Sequence, residues 1–246
     1  MRLLSYNIHK GIGGRDRRYD LDRVCGVIEE SEPDLVCLQE VTCNARRTRH
    51  HDQPRLLAER WSACDSCFQM NVHYRTGGYG NLLLSRWPIR VKHSVSLRLK
   101  RRKPRGAQLV VVETPEGDLH LTNWHLGLGE RERHWQVGHL LRHPLFRASA
   151  HLPTLVVGDF NDWRNTLERG AFAEHAFQQA TGSSARFRSF PAFLPLLTLD
   201  KAFQRGVVIR DIHVLRTPLT RRTSDHLPLV IDFHLNGTNS ANVPIS

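Results

Sequence analysis

A chain of 246 residues with 40% apolar content is long enough to bury a full core, and nothing in it divides naturally into two halves. Its formal charge of +11 predicts attraction to polyanions (nucleic acid, anionic lipid headgroups or phosphorylated small molecules) and does not separate the three. No apolar run reaches transmembrane length, only two apolar residues follow Met1-Arg2 before Ser5, and the five cysteines show no regular spacing, so a soluble, cytoplasmic protein with reduced thiols is expected.

The first predicted strand, residues 2–7, is apolar and ends in the amide of Asn7. The glycine loop from His9 to Arg15 lacks the lysine and Ser/Thr ending of a P-loop and reads as a rim loop. Asp20 is placed to cap a helix whose apolar face is Leu21, Val24, Cys25 and Ile28, with Pro33 ending it. A strand over 34–40 delivers Glu40 at its end, and Arg46-Arg47-x-Arg49-His50-His51 follows, either as a phosphate contact or as a solvated charge cluster. A short helix is expected near Gln53 to Trp61. Cys64-x-x-Cys67, with Cys43, His50 and His51 upstream, is a weak zinc signal, because the short pair has no matching second pair.

After a pair of strands, Gly77-Gly78-Tyr79-Gly80-Asn81 reads as a turn opening a strand over Leu82–Ser85, and another strand runs from Ile89 to Leu97. Arg98, Lys100, Arg101, Arg102, Lys103 and Arg105 form a basic hairpin tip, which resists edge-to-edge pairing and suits a phosphate backbone. Strands over 107–113 and 118–125 follow, the second closing on Asn123-Trp124-His125. A helix over 130–142 then carries Glu130 and Glu132 in its first turn, and Arg131, Arg133 and His134 are placed toward the rim beside His125.

Leu155-Val156-Val157-Gly158-Asp159-Phe160-Asn161-Asp162 is a buried strand running into a polar edge. A carboxylate is costly in a core, so Asp159 must sit where water, a cation or a donor reaches it. Residues 163–180 read as a helical or looped excursion. The proline-broken apolar run Phe187–Leu197 is either packed inside or a substrate-facing or membrane-touching loop, and packing is the commoner meaning of such a run. Asp200 falls on a strand over Leu196–Phe203, Ser224-Asp225-His226 opens a last strand over 227–235, and 236–246 reads as a frayed tail. If these strands pack side by side, their polar ends converge on one rim.

Taken in order, Ser-Tyr-Asn7, Leu-Gln-Glu40-Val, Asn-Trp-His125-Leu, Gly-Asp159-Phe-Asn161-Asp, Leu-Asp200-Lys-Ala-Phe and Ser-Asp225-His226-Leu-Pro-Leu resemble the signatures of the endonuclease/exonuclease/phosphatase superfamily, which has the deoxyribonuclease-I-like fold. The resemblance spans residues 2–234; each motif is weak alone, and six in the right order are specific. It implies a four-layer α/β sandwich, two mostly antiparallel sheets packed face to face with helices outside. One catalytic domain over 1–235 and a monomer are expected. The resemblance also implies phosphate-ester hydrolysis with a divalent cation, magnesium, for which manganese substitutes.

In that reading Glu40 is the hard oxygen ligand of the metal, and Asn7 and Asp225 complete or orient its shell. His226 is a general base or a phosphate-contacting imidazole, and Asp200 fixes its tautomer. Asp159 is a base, a ligand or an orienter of the nucleophile, and Asn161 donates to a phosphate oxygen. His125 corresponds to the second histidine of the deoxyribonuclease and sphingomyelinase branches. Tyr79 and Asn81 line the site, while Arg101, Arg102 and Lys103 meet substrate phosphates. Nucleic acid is the substrate class favoured by the basic charge together with the loop over 98–105. The alternative is a phospholipid (sphingomyelinase-like) phosphodiesterase or a phosphoinositide phosphatase, supported by Phe187–Leu197 and opposed by the lack of a long aromatic hairpin for membrane insertion in the sequence. The intact residue set argues against a non-catalytic relative.

Overall fold

The computed structural model describes residues 1–182 and 184–236, and the expected tail beyond Asn236 lies outside the described residues. In chain order the main elements are β1 (Arg2–Asn7), α1 (Leu21–Ser31), β2 (Leu35–Cys43), α2 (Gln53–Arg60), β3 (Asp65–His73), β4 (Gly78–Ser85), β5 (Ile89–Ser96) and β6 (Gly106–Thr114). Then follow β7 (Gly117–His125), α3 (Glu130–Arg142), α4 (Pro144–Ala148), β8 (Thr154–Asp159), β9 (Gln178–Gln179), β10 (Asp200–Arg205), β11 (Val207–Val214) and β12 (Leu229–Leu235). They form two six-stranded sheets, ordered β11-β12-β1-β2-β4-β3 and β5-β6-β7-β8-β10-β9. Each sheet is antiparallel except at one pair, β1 with β2 in the first and β7 with β8 in the second.

Alternation along the strands builds the layers. Leu3, Leu35, Cys37 and Leu83 of the first sheet face Val110, Leu121, Leu155 and Val157 of the second, making the central core. The neighbouring residues Leu4, Val36, Leu38 and Leu84 point the other way, onto Val24, Val27 and Ile28 of α1 and Leu57 of α2. Behind the second sheet, Val156 and Phe203 pack with Val137, Leu140 and Leu141 of α3 and Phe146 of α4. Three apolar layers between four structural ones give the α/β sandwich. Asp20 caps α1 as expected, accepting from Asp22 N at 3.1 Å and Arg23 N at 3.3 Å.

Several expectations change. Gly78 to Asn81 do not turn; they are the start of β4, paired with β2 through Tyr79↔Thr42 and Gly80↔Val41. In a buried sheet, small residues let two backbones approach, which makes a glycine-rich stretch look like a turn. The strand carrying Asp200 begins at Asp200 rather than Leu196, because Leu196 N and Leu197 N are both bonded to Phe190 O at 2.8 Å in a tight local loop. Strand β11 was not anticipated: its exposed residues Arg210, Asp211 and His213 mask the alternation of an edge strand. Arg133 is buried rather than on the rim, with Asp162 3.7 Å away. All five cysteines are free thiols, and Cys64 is exposed while Cys67 is partly buried on β3, so the weak zinc signal has no structural support.

Candidate active site

The two parallel pairs set the site. Residue Asn7 ends β1 beside Gln39 of β2, and His125 ends β7 beside Asp159 of β8. The second pairing depends on Gly158, at φ 138, where a Cβ would lie 2.1 Å from Trp124 O. Asp200 of β10 is the antiparallel partner of Asp159. From the other sheet, the turn before β12 brings His226 across the gap, so carboxylates and imidazoles from both sheets meet at one end of the sandwich.

Glu40 reaches this end by a different route. Leu38 pairs with Leu82 and Val41 with Gly80, so Gln39 and Glu40 together face Asn81 in a β-bulge, and Glu40 has φ 56. A non-glycine residue held there costs on the order of 1–3 kcal/mol, a strain found where a side chain must be re-aimed. Strand β2 then continues to Cys43, so Glu40 lies inside the strand rather than at its end.

At the centre, the buried carboxylate of Asp159 accepts from Asn7 Nδ2 at 3.0 Å and from Asn161 N at 3.0 Å. His125 Nε2 lies 3.2 Å from its Oδ2 and His226 Nε2 lies 3.7 Å from the same oxygen. His226 Nδ1 is held at 2.9 Å by Asp200 Oδ2. Burial opposes a charge on His226, but Asp200 and Asp159 outweigh it and raise the imidazole to about 10. His125 is pushed the other way, well below the ordinary value, by burial first and then by the cations of Arg105 and Lys103 and by His226. Burial raises Asp159 to about 6, with His226 opposing. Two imidazoles thus face one carboxylate oxygen, with a proton favoured on His226 and disfavoured on His125.

On the Glu40 side, His125 Nδ1 stands 4.0 Å from Glu40 Oε1, and the Lys10 ammonium pairs with Glu40. Burial opposes ionisation of Glu40, yet Lys10, Lys103 and His9 keep its carboxyl below the usual range. A narrow pocket of about 10 Å³ is lined by Glu40, Tyr79, Asn81, Arg105 and His125. A wider cavity of about 680 Å³, lined by Tyr19, Asp22, Arg49, His51 and Arg60, lies between α1 and α2, away from this chemistry.

Of the remaining predicted residues, Asp225 flanks His226 and lies 3.7 Å from His9 Nδ1. Asn7 Oδ1 accepts from His9 N at 3.0 Å, and Asn161 Nδ2 donates to Leu126 O at 3.0 Å. Asn81 Nδ2 donates to Gly106 O at 3.0 Å, tying the two sheets under the pocket. Lys103 Nζ lies 5.4 Å from the Tyr79 ring centre, whereas Arg101 and Arg102 stay exposed at the hairpin tip.

Two residues were missed, Lys10 and Arg105. Arg105 is buried at 6% exposure, and its Nε and the Tyr79 hydroxyl have no hydrogen-bond partner among the described residues. A buried guanidinium with an unpaired donor beside Glu40 and His125 is costly unless an anion or water completes it. In sequence it was one cation in a run of six, distinguished only by its place next to Gly106, where the strand begins.

The chemistry at this end is that of a phosphoesterase of the α/β-sandwich class. Residues 4–226 match the Endonuclease/Exonuclease/phosphatase family, and the chain belongs to that family. It is 32% identical over 251 residues to the Escherichia coli (strain K12) protein YbhP, covering 95% of this chain and 96% of that one. Among solved structures, an endonuclease/exonuclease/phosphatase from Beutenbergia cavernae superposes with a TM-score of 0.77 at 22% identity, covering 96% of this chain and 72% of that one. The mannosyl-6-phosphatase Bt3783 of Bacteroides thetaiotaomicron does so with a TM-score of 0.74 at 16% identity, covering 96% and 100%. At such identities the two structures speak for the fold.

Enzymes of this family generally use divalent metals. Glu40, Asn7 and Asp225 carry hard oxygens of the kind such an ion takes, and the Lys10 ammonium pairs with Glu40.

Proposed function

We propose that the protein is a magnesium-dependent phosphodiesterase, with residues 1–235 acting as one catalytic domain. The observation that carries this reading is Asp159 bracketed by His125 at 3.2 Å and His226 at 3.7 Å, with Glu40 and the open Arg105 guanidinium alongside. Glu40 would hold the metal, with Asn7 and Asp225 completing or orienting its shell. Among the described residues no three His, Cys, Asp or Glu side chains group as a metal cage. Magnesium does not ask for one, since it binds through one or two carboxylates, waters and substrate phosphate. An ion held there would supply neutralisation of phosphate charge and a lowered pKa for a nucleophilic water. Manganese is expected to substitute.

The chain's own residues supply the rest. Arg105 and the protonated His226 donate to the non-bridging oxygens, neutralising charge that grows in the transition state. His226 keeps its proton because Asp200 holds Nδ1, which favours a phosphate-contacting imidazole over a general base. Asp159, fixed by Asn7, orients the attacking water and takes its proton. His125, whose burial disfavours a proton, faces the same Asp159 oxygen as His226 and would donate a hydrogen bond to a phosphate or leaving oxygen.

The substrate is a polyanion in this reading. Nucleic acid is supported by the hairpin over 97–105, which sends Lys103 and Arg105 toward Tyr79 while Arg101 and Arg102 project outward. A phospholipid ester is the second reading, favoured by Phe193, Leu194 and Leu196, exposed on the loop whose Phe190 ring lies 5.0 Å from His226. Five free thiols support a reducing compartment such as the cytoplasm. The test is hydrolysis of bis(p-nitrophenyl) phosphate, plasmid DNA, RNA and phospholipid vesicles, each with magnesium and with chelator. Product should appear only with metal, and equal rates in chelator would overturn the reading.

A further inference from the structure

Exposed apolar side chains are unevenly placed on this molecule. Of the eight large hydrophobic residues exposed among the described residues, seven lie on loops at the catalytic end; the eighth, Val208, is on edge strand β11. Topology fixes that placement. Leu128, 66% exposed, follows His125, and Trp163 follows Asp159. Tyr74 is on the turn into β4, which runs antiparallel to β2, and Phe193 to Leu197 lead into Asp200 opposite Asp159.

These loops are not frayed. Ala192 N donates to Asp225 O at 2.7 Å, Leu196 N to Phe190 O at 2.8 Å and Arg221 to Phe193 O at 3.4 Å, yet Phe193, Leu194 and Leu196 are each more than half exposed. On the other flank, buried Arg133 donates to Leu128 O at 2.6 Å and stacks 5.2 Å from the Trp163 ring. The backbone is tied down while the apolar side chains face water, so the earlier expectation that Phe187–Leu197 packs inside holds only for residues such as Phe187 and Ala192.

Charge around the Phe193–Leu197 loop is one-sided. The segments 41–51, 73–77, 97–106, 184–199 and 214–224 carry Arg or Lys and contain no Asp or Glu, whereas the Leu128 and Trp163 flank also carries Glu130, Glu132, Asp162 and Glu168. The apolar Phe193–Leu197 loop among cations matches a surface that is anionic outside and hydrocarbon beneath. A nucleic-acid backbone would use the cations and leave Phe193, Leu194 and Leu196 unpartnered.

We propose that the catalytic end docks on an anionic phospholipid bilayer, with Phe193, Leu194 and Leu196 entering the headgroup region and Arg221 and Arg222 on lipid phosphates. It rests on the proposed function for the position of the site, takes up its second, phospholipid reading, and adds the surface on which that site would work.

The test is co-sedimentation of the full chain, in chelator, with vesicles of phosphatidylglycerol and phosphatidylcholine or of phosphatidylcholine alone. Binding is expected to the anionic vesicles, at least tenfold tighter than to the neutral ones. The triple variant Phe193→Ser, Leu194→Ser, Leu196→Ser and the pair Arg221→Glu, Arg222→Glu should each weaken it at least tenfold. Both variants should keep the wild-type rate on soluble bis(p-nitrophenyl) phosphate with metal, which shows that they fold. No binding to anionic vesicles, or equal binding by the triple variant, overturns the proposal. So does a wild-type dimer that the triple variant converts to monomer, which would make the loop a contact between copies. Because binding is read without metal, its failure is distinct from failure of metal-dependent hydrolysis.

Discussion

The two sheets are variations on one plan. Each sets a parallel pair, joined through helix, at its middle and flanks it with antiparallel strands, so β1 and β2 correspond in place to β7 and β8. Their ends differ. In the first sheet β2 bulges at Glu40 and runs on to Cys43, which leaves the Glu40 side chain partly exposed and in reach of Lys10. In the second sheet β8 stops at Asp159, which is buried among histidines. A carboxylate that keeps some exposure and already pairs with an ammonium can exchange one cation for another, while one enclosed among histidines is governed by its proton. The same topology therefore yields an oxygen-donor end and a proton-handling end, and the substrate lies between them in the reading proposed here.

Substitutions that break each end separately give the largest effects. Glu40→Gln, Asp159→Asn and His226→Ala should each lower turnover of bis(p-nitrophenyl) phosphate by at least about a hundredfold, with circular dichroism unchanged. The comparison predicts a split among them. Raising the magnesium concentration should restore part of the Glu40→Gln activity and none of the His226→Ala activity. If metal titration rescues both equally, the two ends do not divide the work.

Gly158 probes the scaffold beneath the second end. Gly158→Ala adds a methyl group against Trp124 O at a φ of 138, so it should destabilise the fold by about 1–3 kcal/mol or more, read by urea denaturation. A change under about 0.5 kcal/mol would mean that the β7–β8 approach is not what forces glycine there.

Most of the architecture was legible because strands over Leu3–Tyr6, Leu35–Leu38, Leu119–Leu121 and Leu155–Val157 are apolar runs broken by polar ends. A buried strand and a site residue at its tip write the same local signature. Glu40 shows the limit. Its carboxylate could be read from Leu-Gln-Glu-Val, but the bulge that aims it depends on Asn81 across the sheet, which no local pattern contains. Arg105 is a similar case, since six cations within eight positions look alike until burial selects one. The stretch Gly78–Asn81 misled for the opposite reason: backbone freedom suits a turn and a close-packed strand equally.

A smaller and more local effect separates the two histidines. The His226 pair with Asp200 raises its folded value to about 10, so its stabilisation is full below the unfolded value of about 6.5 and is lost as pH rises through 10. His125, driven down by burial, carries the opposite sign and costs stability as pH falls below the ordinary histidine value. Asp200→Asn should bring His226 down by more than about one unit in a metal-free NMR titration and leave His125 neutral throughout. If His226 titrates near its ordinary value in the unsubstituted protein, Asp200 is not holding the proton.

The smallest expected effect tests the hairpin that reaches over the first end. Arg101 and Arg102 are exposed and remain at the tip, whereas Arg105 is buried in the pocket with Glu40 and His125. In the proposed reading Arg105, and neither arginine of the tip, touches a small phosphodiester. Arg101→Ala with Arg102→Ala should therefore change turnover of a soluble small substrate by less than about threefold, since surface charges act weakly across screened distance. On a long polyanion the same pair should count, because each phosphate contact contributes about 0.9 to the salt slope of binding. Loss of both should flatten a plot of log affinity for DNA against log salt by roughly 1–2. An unchanged slope would leave the tip without a backbone-tracking role and shift the weight of substrate recognition to Arg105, Lys103 and the apolar loops.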